Sequence, residues 1–248
     1  MGNELREFDY QWQNLSSPDI EYGPQRITDL LNHTGLSQDF FRNKHCLDVG
    51  CGVGRWTWAM MQMGAHVESI DISSQAVAAT QKINAQTYVR DIMSLEPTQK
   101  YSFVLCWGVL HHLEKPFEGF KKVASQVKPG GTLHIMVYNR ANQAVYEPLR
   151  RTWKDLSPKD KLDLCDKLAK ERGGTVHGWW DALNPQYNWG FSHEEIREWF
   201  ASSDFDQIRS IPPKIPWSLS HETRYFLRLR LKRRHNINMN GRLNPNHE

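Results

Sequence analysis

The chain has 248 residues, of which 39% are hydrophobic and 24% charged, with a formal net charge of +3. That length suits one ordinary domain with an insertion, and the balance excludes disordered and fibrous chains. No apolar run approaches the roughly 20 residues of a membrane span, and Cys46, Cys51, Cys106 and Cys165 form no C-x-x-C pair, so reduced thiols are expected rather than disulfides or a metal site.

The N-terminal stretch Met1-Gly-Asn-Glu-Leu-Arg-Glu-Phe lacks the apolar core of a signal peptide, and with the cysteines it points to a cytoplasmic protein. Residues 45–50 read as a first strand, running into Gly50-Cys51-Gly52-Val53-Gly54 and a helix over Arg55–Met63 stopped by Gly64. Free N–H groups at such a helix start favour polar or anionic groups. His66–Asp71 is a second strand, and its terminal Asp71 lies 23 residues after Asp48. An acidic side chain at about that distance in a βαβ unit is placed to hold a ribose. Ser73 or Ser74 caps a helix to about Lys82, and Thr87–Ile92 is a third strand. Phe103–Trp107 is a continuous apolar strand of the kind buried on both faces. Pro116 opens a helix to about Val127, Lys128–Gly131 turns, and Thr132–Tyr138 is the fifth strand.

Past Asn139 the pattern changes. Residues 140–190 are rich in Arg, Lys and Trp, with an amphipathic stretch over Pro158–Arg172. Ser192-His193-Glu194-Glu195 then caps a helix, Phe205–Ile211 is a sixth strand, and the alternation in Tyr225–Lys232 favours a seventh. Residues 214–248 carry eight Lys and Arg against two Glu. Alternating strands and helices imply a doubly wound parallel sheet, with ligands beyond the strands' carboxyl ends.

Five ordered stretches carry a resemblance: Leu-Asp-Val-Gly-Cys-Gly-Val-Gly from Leu47, Ser-Ile-Asp-Ile-Ser from Ser69, Arg-Asp-Ile from Arg90, Val-Leu-His-His-Leu from Val109, and Val-Lys-Pro-Gly-Gly-Thr-Leu from Val127. Together they resemble the class I S-adenosylmethionine-dependent methyltransferases, over about residues 45–139. The resemblance implies an α/β fold, a doubly wound and mainly parallel seven-stranded Rossmann-like sheet with a helical cap inserted after strand 5. Given that resemblance and the change of pattern past Asn139, the chain is expected to divide into an N-terminal helical lid (1–40), a cofactor-binding core (41–139), a cap (140–190), the C-terminal part of the core (191–235) and a flexible tail (236–248). The implied cofactor is S-adenosylmethionine, leaving as S-adenosylhomocysteine, with no metal.

Within that family Gly50, Cys51, Gly52 and Gly54 would form the turn under the methionine part, and Asp48 would help position its amino group. Asp71 would take the ribose hydroxyls, Ile72 would lie against the adenine face, and Asp91 would accept from the adenine amine with the Ile92 backbone beside it. Cys106 and Trp107 would border the sulfonium. Outside the resemblance, Tyr10 and Trp12 in Asp9-Tyr10-Gln11-Trp12 are expected to fold over the cofactor as an N-terminal lid. Carboxylates suit a cationic ligand with a ribose diol, where a nucleotide phosphate would want cations. The residues after the fourth strand are Cys106-Trp107-Gly108, not an Asn-Pro-Pro-Tyr clamp, so Asn184-Pro185-Gln186-Tyr187 reads as a decoy.

Methyl transfer needs alignment and exclusion of water, and a base only for a protonated acceptor. His111 and His112 sit just past the fourth strand, close to the methyl; one of such a pair commonly packs or caps the adjacent helix, and His111 is taken as the site-lining residue and candidate base. Asn139, Arg140, Trp179, Trp180 and Tyr187 are the other candidate substrate contacts. The expected reaction is transfer to O or N of a small molecule under the cap, by a monomer or homodimer. The competing readings are an RNA methyltransferase using the basic stretch Arg224, Arg228, Arg230, Lys232, Arg233 and Arg234, and a regulator that binds the cofactor without catalysis.

Overall fold

The computed structural model describes residues 2–15, 22–212, 220 and 236–247. Five strands run parallel: β1 (His45–Val49), β2 (His66–Asp71), β3 (Thr87–Val89), β4 (Tyr101–Trp107) and β5 (Val127–Val137). β6 (Phe205–Ser210) and β7 (Ile237–Leu243) complete one seven-stranded sheet in the order β3-β2-β1-β4-β5-β7-β6, with β7 antiparallel to both its neighbours. The helices among the described residues are α1 (Gly2–Asn14), α2 (Pro24–Thr34), α3 (Gln38–Phe41), α4 (Arg55–Gln62), α5 (Ser74–Gln81), α6 (Pro116–Ala124), α7 (Arg140–Trp153), α8 (Pro158–Arg172), α9 (Val176–Leu183) and α10 (His193–Ala201). The chain therefore has the expected doubly wound, mainly parallel α/β architecture.

Local chemistry sets most of the boundaries. The Ser73 hydroxyl accepts from the Ala76 N–H and starts α5, Pro116 opens α6, and Ser192 and Glu195 form a reciprocal capping box on α10. Side chains alternate across β4: Val104 and Cys106 face one apolar layer, Phe103 and Leu105 the other. The second layer also takes Leu30 from α2 and Phe41 from α3, both fully buried. Among the described residues of the predicted lid, α1 therefore lies over the loops, whereas α2 and α3 pack into the core.

Two further readings change, and one falls outside the described residues. The predicted turn at Lys128–Gly131 lies inside β5, where Gly130 takes φ 73° and the register with β4 shifts between Tyr101 and Phe103. The alternating stretch Tyr225–Lys232 and the basic residues around it lie outside the described residues. Residues 236–248, expected as a loose tail, instead supply β7, which inserts Ile237, Met239 and Leu243 into the core. Asn240 is satisfied at depth: its amide donates to the Thr34 carbonyl at 2.6 Å and its Oδ1 meets Nδ1 of buried His134.

The insertion is helical, as expected. α7, α8 and α9 enclose their own small core of Trp153, Cys165, Trp180 and Leu183. Among the described residues no helix is long and apolar enough to cross a membrane.

Candidate active site

The carboxyl ends of the parallel strands open onto a cavity of about 430 Å³. Its floor comes from the sheet: Gly50 and Cys51 after β1, Asp71 and Ile72 at β2, Arg90, Asp91 and Ile92 after β3, and Trp107, Gly108 and Val109 after β4. Its roof comes from Phe8 and Trp12 of α1, from Thr175, His177, Gly178 and Asp181 of the cap, and from Pro185, Gln186 and Tyr187.

The glycine turn is built for close approach. Gly50 has φ 71°, and a Cβ there would stand 2.3 Å from Val109 Cγ2. At Gly52, with φ 55°, it would stand 2.5 Å from the indole of Trp12. Asp71 braces the turn from beneath, accepting from the N–H of Gly52 at 2.8 Å and of Ser73 at 2.9 Å. Burial pushes its carboxyl up to about 6, against the pull of those hydrogen bonds. Asp48 is also pushed up to about 6 by burial, opposed by the Thr57 hydroxyl that donates to it at 2.7 Å. Asp48 stays behind the turn and does not reach the cavity. Asp91 lines the cavity and caps the 3₁₀ turn Ile92–Ser94, accepting from the Met93 N–H at 2.8 Å.

Helix α1 ties the turn to the cap. Asp9 accepts from the Ser73 hydroxyl on one side. On the other, Gln11 Nε2 lies 2.9 Å from His177 Nε2 and donates to Asp181 Oδ1 at 3.3 Å, while Trp12 packs on the His177 ring at 4.8 Å. Asp181 also accepts from the Tyr138 hydroxyl at the end of β5.

The two histidines after β4 divide sharply. They occupy the 3₁₀ turn Leu110–His112. His111 points away from the cavity, is fully buried, and stacks on Tyr138 with ring centres 3.6 Å apart. Burial holds its imidazole well below the ordinary histidine value, so it is neutral. His112 lines the cavity, with Nδ1 3.0 Å from the Tyr187 carbonyl and Nε2 3.6 Å from Asp181 Oδ2.

Of the residues expected from sequence, Trp12, Gly50, Cys51, Asp71, Ile72, Asp91, Ile92, Trp107 and Tyr187 line the cavity. Gly52 lies against Trp12, and Gly54 packs on Thr80 with φ 88°. Several others are elsewhere, each for a local reason. Cys106 is fully buried in the sheet's core. Tyr10 stacks on Trp180 at 5.2 Å, and both belong to the cap's own core. Trp179 donates to the Gly173 carbonyl and packs on Tyr146. Asn139 caps α7 by accepting from the Ala141 N–H. Arg140 pairs through one guanidinium nitrogen with both oxygens of Glu195 at 2.7 Å, away from the cavity. The string Asn184–Tyr187 is not a bystander, because Pro185, Gln186 and Tyr187 form part of the roof. Sequence reasoning missed Phe8, His112, His177 and Asp181, whose partners lie far along the chain.

Comparison with known proteins converges on one family. Residues 20–210 match a family model described as a methyltransferase domain. The ubiquinone biosynthesis O-methyltransferase of Coxiella burnetii is 29% identical over 145 residues, covering 55% of this chain and 62% of that protein. This chain covers less than two thirds of the length of that and other curated relatives. Among solved structures, a chain of the Haloferax volcanii complex between the Trm112 methyltransferase activator and a methyltransferase superposes with a TM-score of 0.59 at 16% identity, covering 96% of this chain and 98% of that one. Magnesium protoporphyrin IX methyltransferase from Synechocystis PCC 6803, solved with bound S-adenosylmethionine, gives 0.55 at 15% identity, covering 98% and 92%. At those identities the two structures share the fold.

Proposed function

The chain belongs to the class I S-adenosylmethionine-dependent methyltransferases, and on that premise we propose that it methylates O or N of a small molecule held beneath the cap. The observation that carries this reading is the roof. The cavity has the glycine turn and both cofactor-side carboxylates as its floor, and α1 and the cap close over it at about 430 Å³. A space of that size and cover suits a compact acceptor.

The residues present fit the cofactor. The missing Cβ atoms at Gly50 and Gly52 let Val109 and Trp12 pack directly on the main chain of the turn. In this reading Asp71 accepts from the ribose hydroxyls with the oxygen lone pairs its backbone donors leave free. Asp91 accepts from the adenine amine, with Ile72 and Ile92 against the ring. Gly50, Cys51, Gly52 and Gly54 carry the methionine part, while Asp48 supports them through Thr57. Bound S-adenosylmethionine supplies a methyl group on a positively charged sulfur. The protein's part is to hold acceptor and methyl in line and keep water out; Trp12, Phe8 and Tyr187 provide the apolar cover.

The test uses S-adenosylmethionine labelled at the methyl carbon, with pure protein and a fractionated extract of the native cell. Label in the small-molecule fraction supports the reading. Label in RNA moves the acceptor to the basic stretch between residues 224 and 234, and cofactor binding without transfer to any fraction makes the protein a regulator.

A further inference from the structure

Three side chains from two distant stretches gather their polar atoms where the turn after β4 meets the cap. His111 and His112 come from that turn and Asp181 from α9, and one ligand-type atom of each lies within 4.8 Å of the others. Both ring nitrogens of His111 and Nε2 of His112 are buried, with neither solvent nor a hydrogen-bond partner. Buried polar atoms in that state are costly, and an ion that takes their lone pairs removes the cost. The Tyr187 carbonyl can only accept, so Nδ1 of His112, 3.0 Å away, carries the ring proton. The Nε2 lone pair then faces Asp181 Oδ2 across 3.6 Å. Two electron-rich atoms so placed call for a cation between them. A proton would draw them to about 2.8 Å, well short of the observed gap. A metal ion about 2.1 Å from each atom spans it at an angle of about 120°, near the tetrahedral value.

We propose that His111, His112 and Asp181 hold a divalent transition-metal cation of the zinc type, which clasps the cap to the turn after β4. Two ligands of one such ion stand at most about 4.2 Å apart, so the set closes on it with a shift of about 0.6 Å or less. Two imidazoles and one carboxylate suit zinc and its neighbours, where magnesium and calcium want oxygen throughout. The groups behind the three ligands are those a metal site has. A ligating histidine ordinarily donates its other N–H to a carbonyl or carboxylate, and a ligating carboxylate is itself hydrogen-bonded. His112 does the first through Tyr187; Asp181 does the second, accepting from the Tyr138 hydroxyl and from Gln11 Nε2. Asp181 is also the partly exposed member and lines the cavity, which gives the ion a way in and a place for a water as fourth ligand. The set contains no cysteine, so the cysteine spacing carries no sign of it. The site stands on its own donors and does not depend on methyl transfer.

The experiment titrates Zn²⁺, and in parallel Co²⁺, into the full chain after stripping with a chelator. Calorimetry should show one Zn²⁺ per chain. Co²⁺ should give the intense visible absorption of a four- or five-coordinate site, without the thiolate charge-transfer band that a cysteine ligand adds. Tyr138→Phe, which removes only a support of Asp181, should weaken Zn²⁺ binding about ten- to a hundredfold, and Asp181→Asn and His112→Gln by more. His45→Ala, in the exposed pair whose rings stack on His66 at 5.3 Å, should leave it unchanged. In the wild type, hydrogen exchange over residues 109–113 and 176–183 should slow together when Zn²⁺ is added. A wild-type chain that takes up no Zn²⁺ overturns the proposal even should every variant fail to fold. So does a thiolate band, an octahedral Co²⁺ spectrum, or exchange that Zn²⁺ leaves unmoved in either segment. Binding that survives both Asp181→Asn and His112→Gln, or that His45→Ala removes, places the ion elsewhere and overturns it as well.

Discussion

Asp71 carries two duties at one side chain. It braces the glycine turn through two backbone N–H groups and borders the cavity. Asp48 and Asp71 both have folded values of about 6, above the 3.8 of an unperturbed carboxyl. Their protonated forms therefore favour the fold; the stability they contribute is full below pH 4 and is lost as pH rises through about 6. A ligand whose hydroxyls donate to Asp71 prefers the carboxylate, which reverses the sign for binding. The affinity for S-adenosylhomocysteine should rise with pH and be about tenfold weaker at pH 5 than at pH 7.5 by calorimetry; a flat profile removes Asp71 from the ligand. Gly50→Ala forces a side chain into a left-handed backbone and onto Val109. It should lower both the melting temperature and that affinity, with a stability loss of about 1–3 kcal/mol.

At the scale of elements, α1 is the part that joins floor to roof. Its Asp9, Gln11 and Trp12 touch α5, α9 and the glycine turn in succession. Hydrogen exchange along residues 8–14 should slow when S-adenosylhomocysteine is added. Trp12→Ala should weaken binding and erase that protection; unchanged exchange on binding would detach α1 from the site. α7, by contrast, carries Arg140 on its outer side, paired with Glu195 in solvent. Arg140→Ala should cost no more than about 1 kcal/mol in chemical denaturation and leave methyl transfer intact.

The elements also show what the sequence made legible. β1, the glycine turn and β2 declare themselves through local grammar, apolar runs closed by Gly and Asp, so their place at the ligand edge followed directly. The choice between His111 and His112 did not. Adjacent residues on a 3₁₀ turn point about 120° apart, and only the packing of Tyr138 against one ring decides which enters the cavity. Asp181 was opaque for the same reason: its partners Gln11, His112 and Tyr138 come from three distant stretches. β7 was hidden by composition. Asn238, Asn240 and Gly241 read as a polar tail, but Thr34 and His134 satisfy Asn240 at depth, and Phe200 lies where a side chain at 241 would sit.

Across the whole molecule, β7 is the seam of the sheet. It pairs with β5 along Thr132–Val137 and is the strand that holds β6 in place. Removing residues 236–248 strips Ile237, Met239 and Leu243 from the core, each worth about 1.5–3 kcal/mol, and together they make up a large share of the roughly 5–15 kcal/mol that holds a typical domain folded. The truncated chain should show no cooperative thermal transition; a normal melt would mean β7 is dispensable.

That seam also sets an order on the ribosome. β5 is complete once residue 137 has been made, yet its neighbour in the sheet begins only at Ile237. For about a hundred residues of synthesis, on the order of ten seconds, the β5 edge stands open with its N–H and C=O groups unpaired, the condition under which strands from other chains add on. The nascent protein thus has a period in which all five parallel strands have been made while the β5 edge is still adhesive, and the rate of elongation through 140–236 sets how long that exposure lasts.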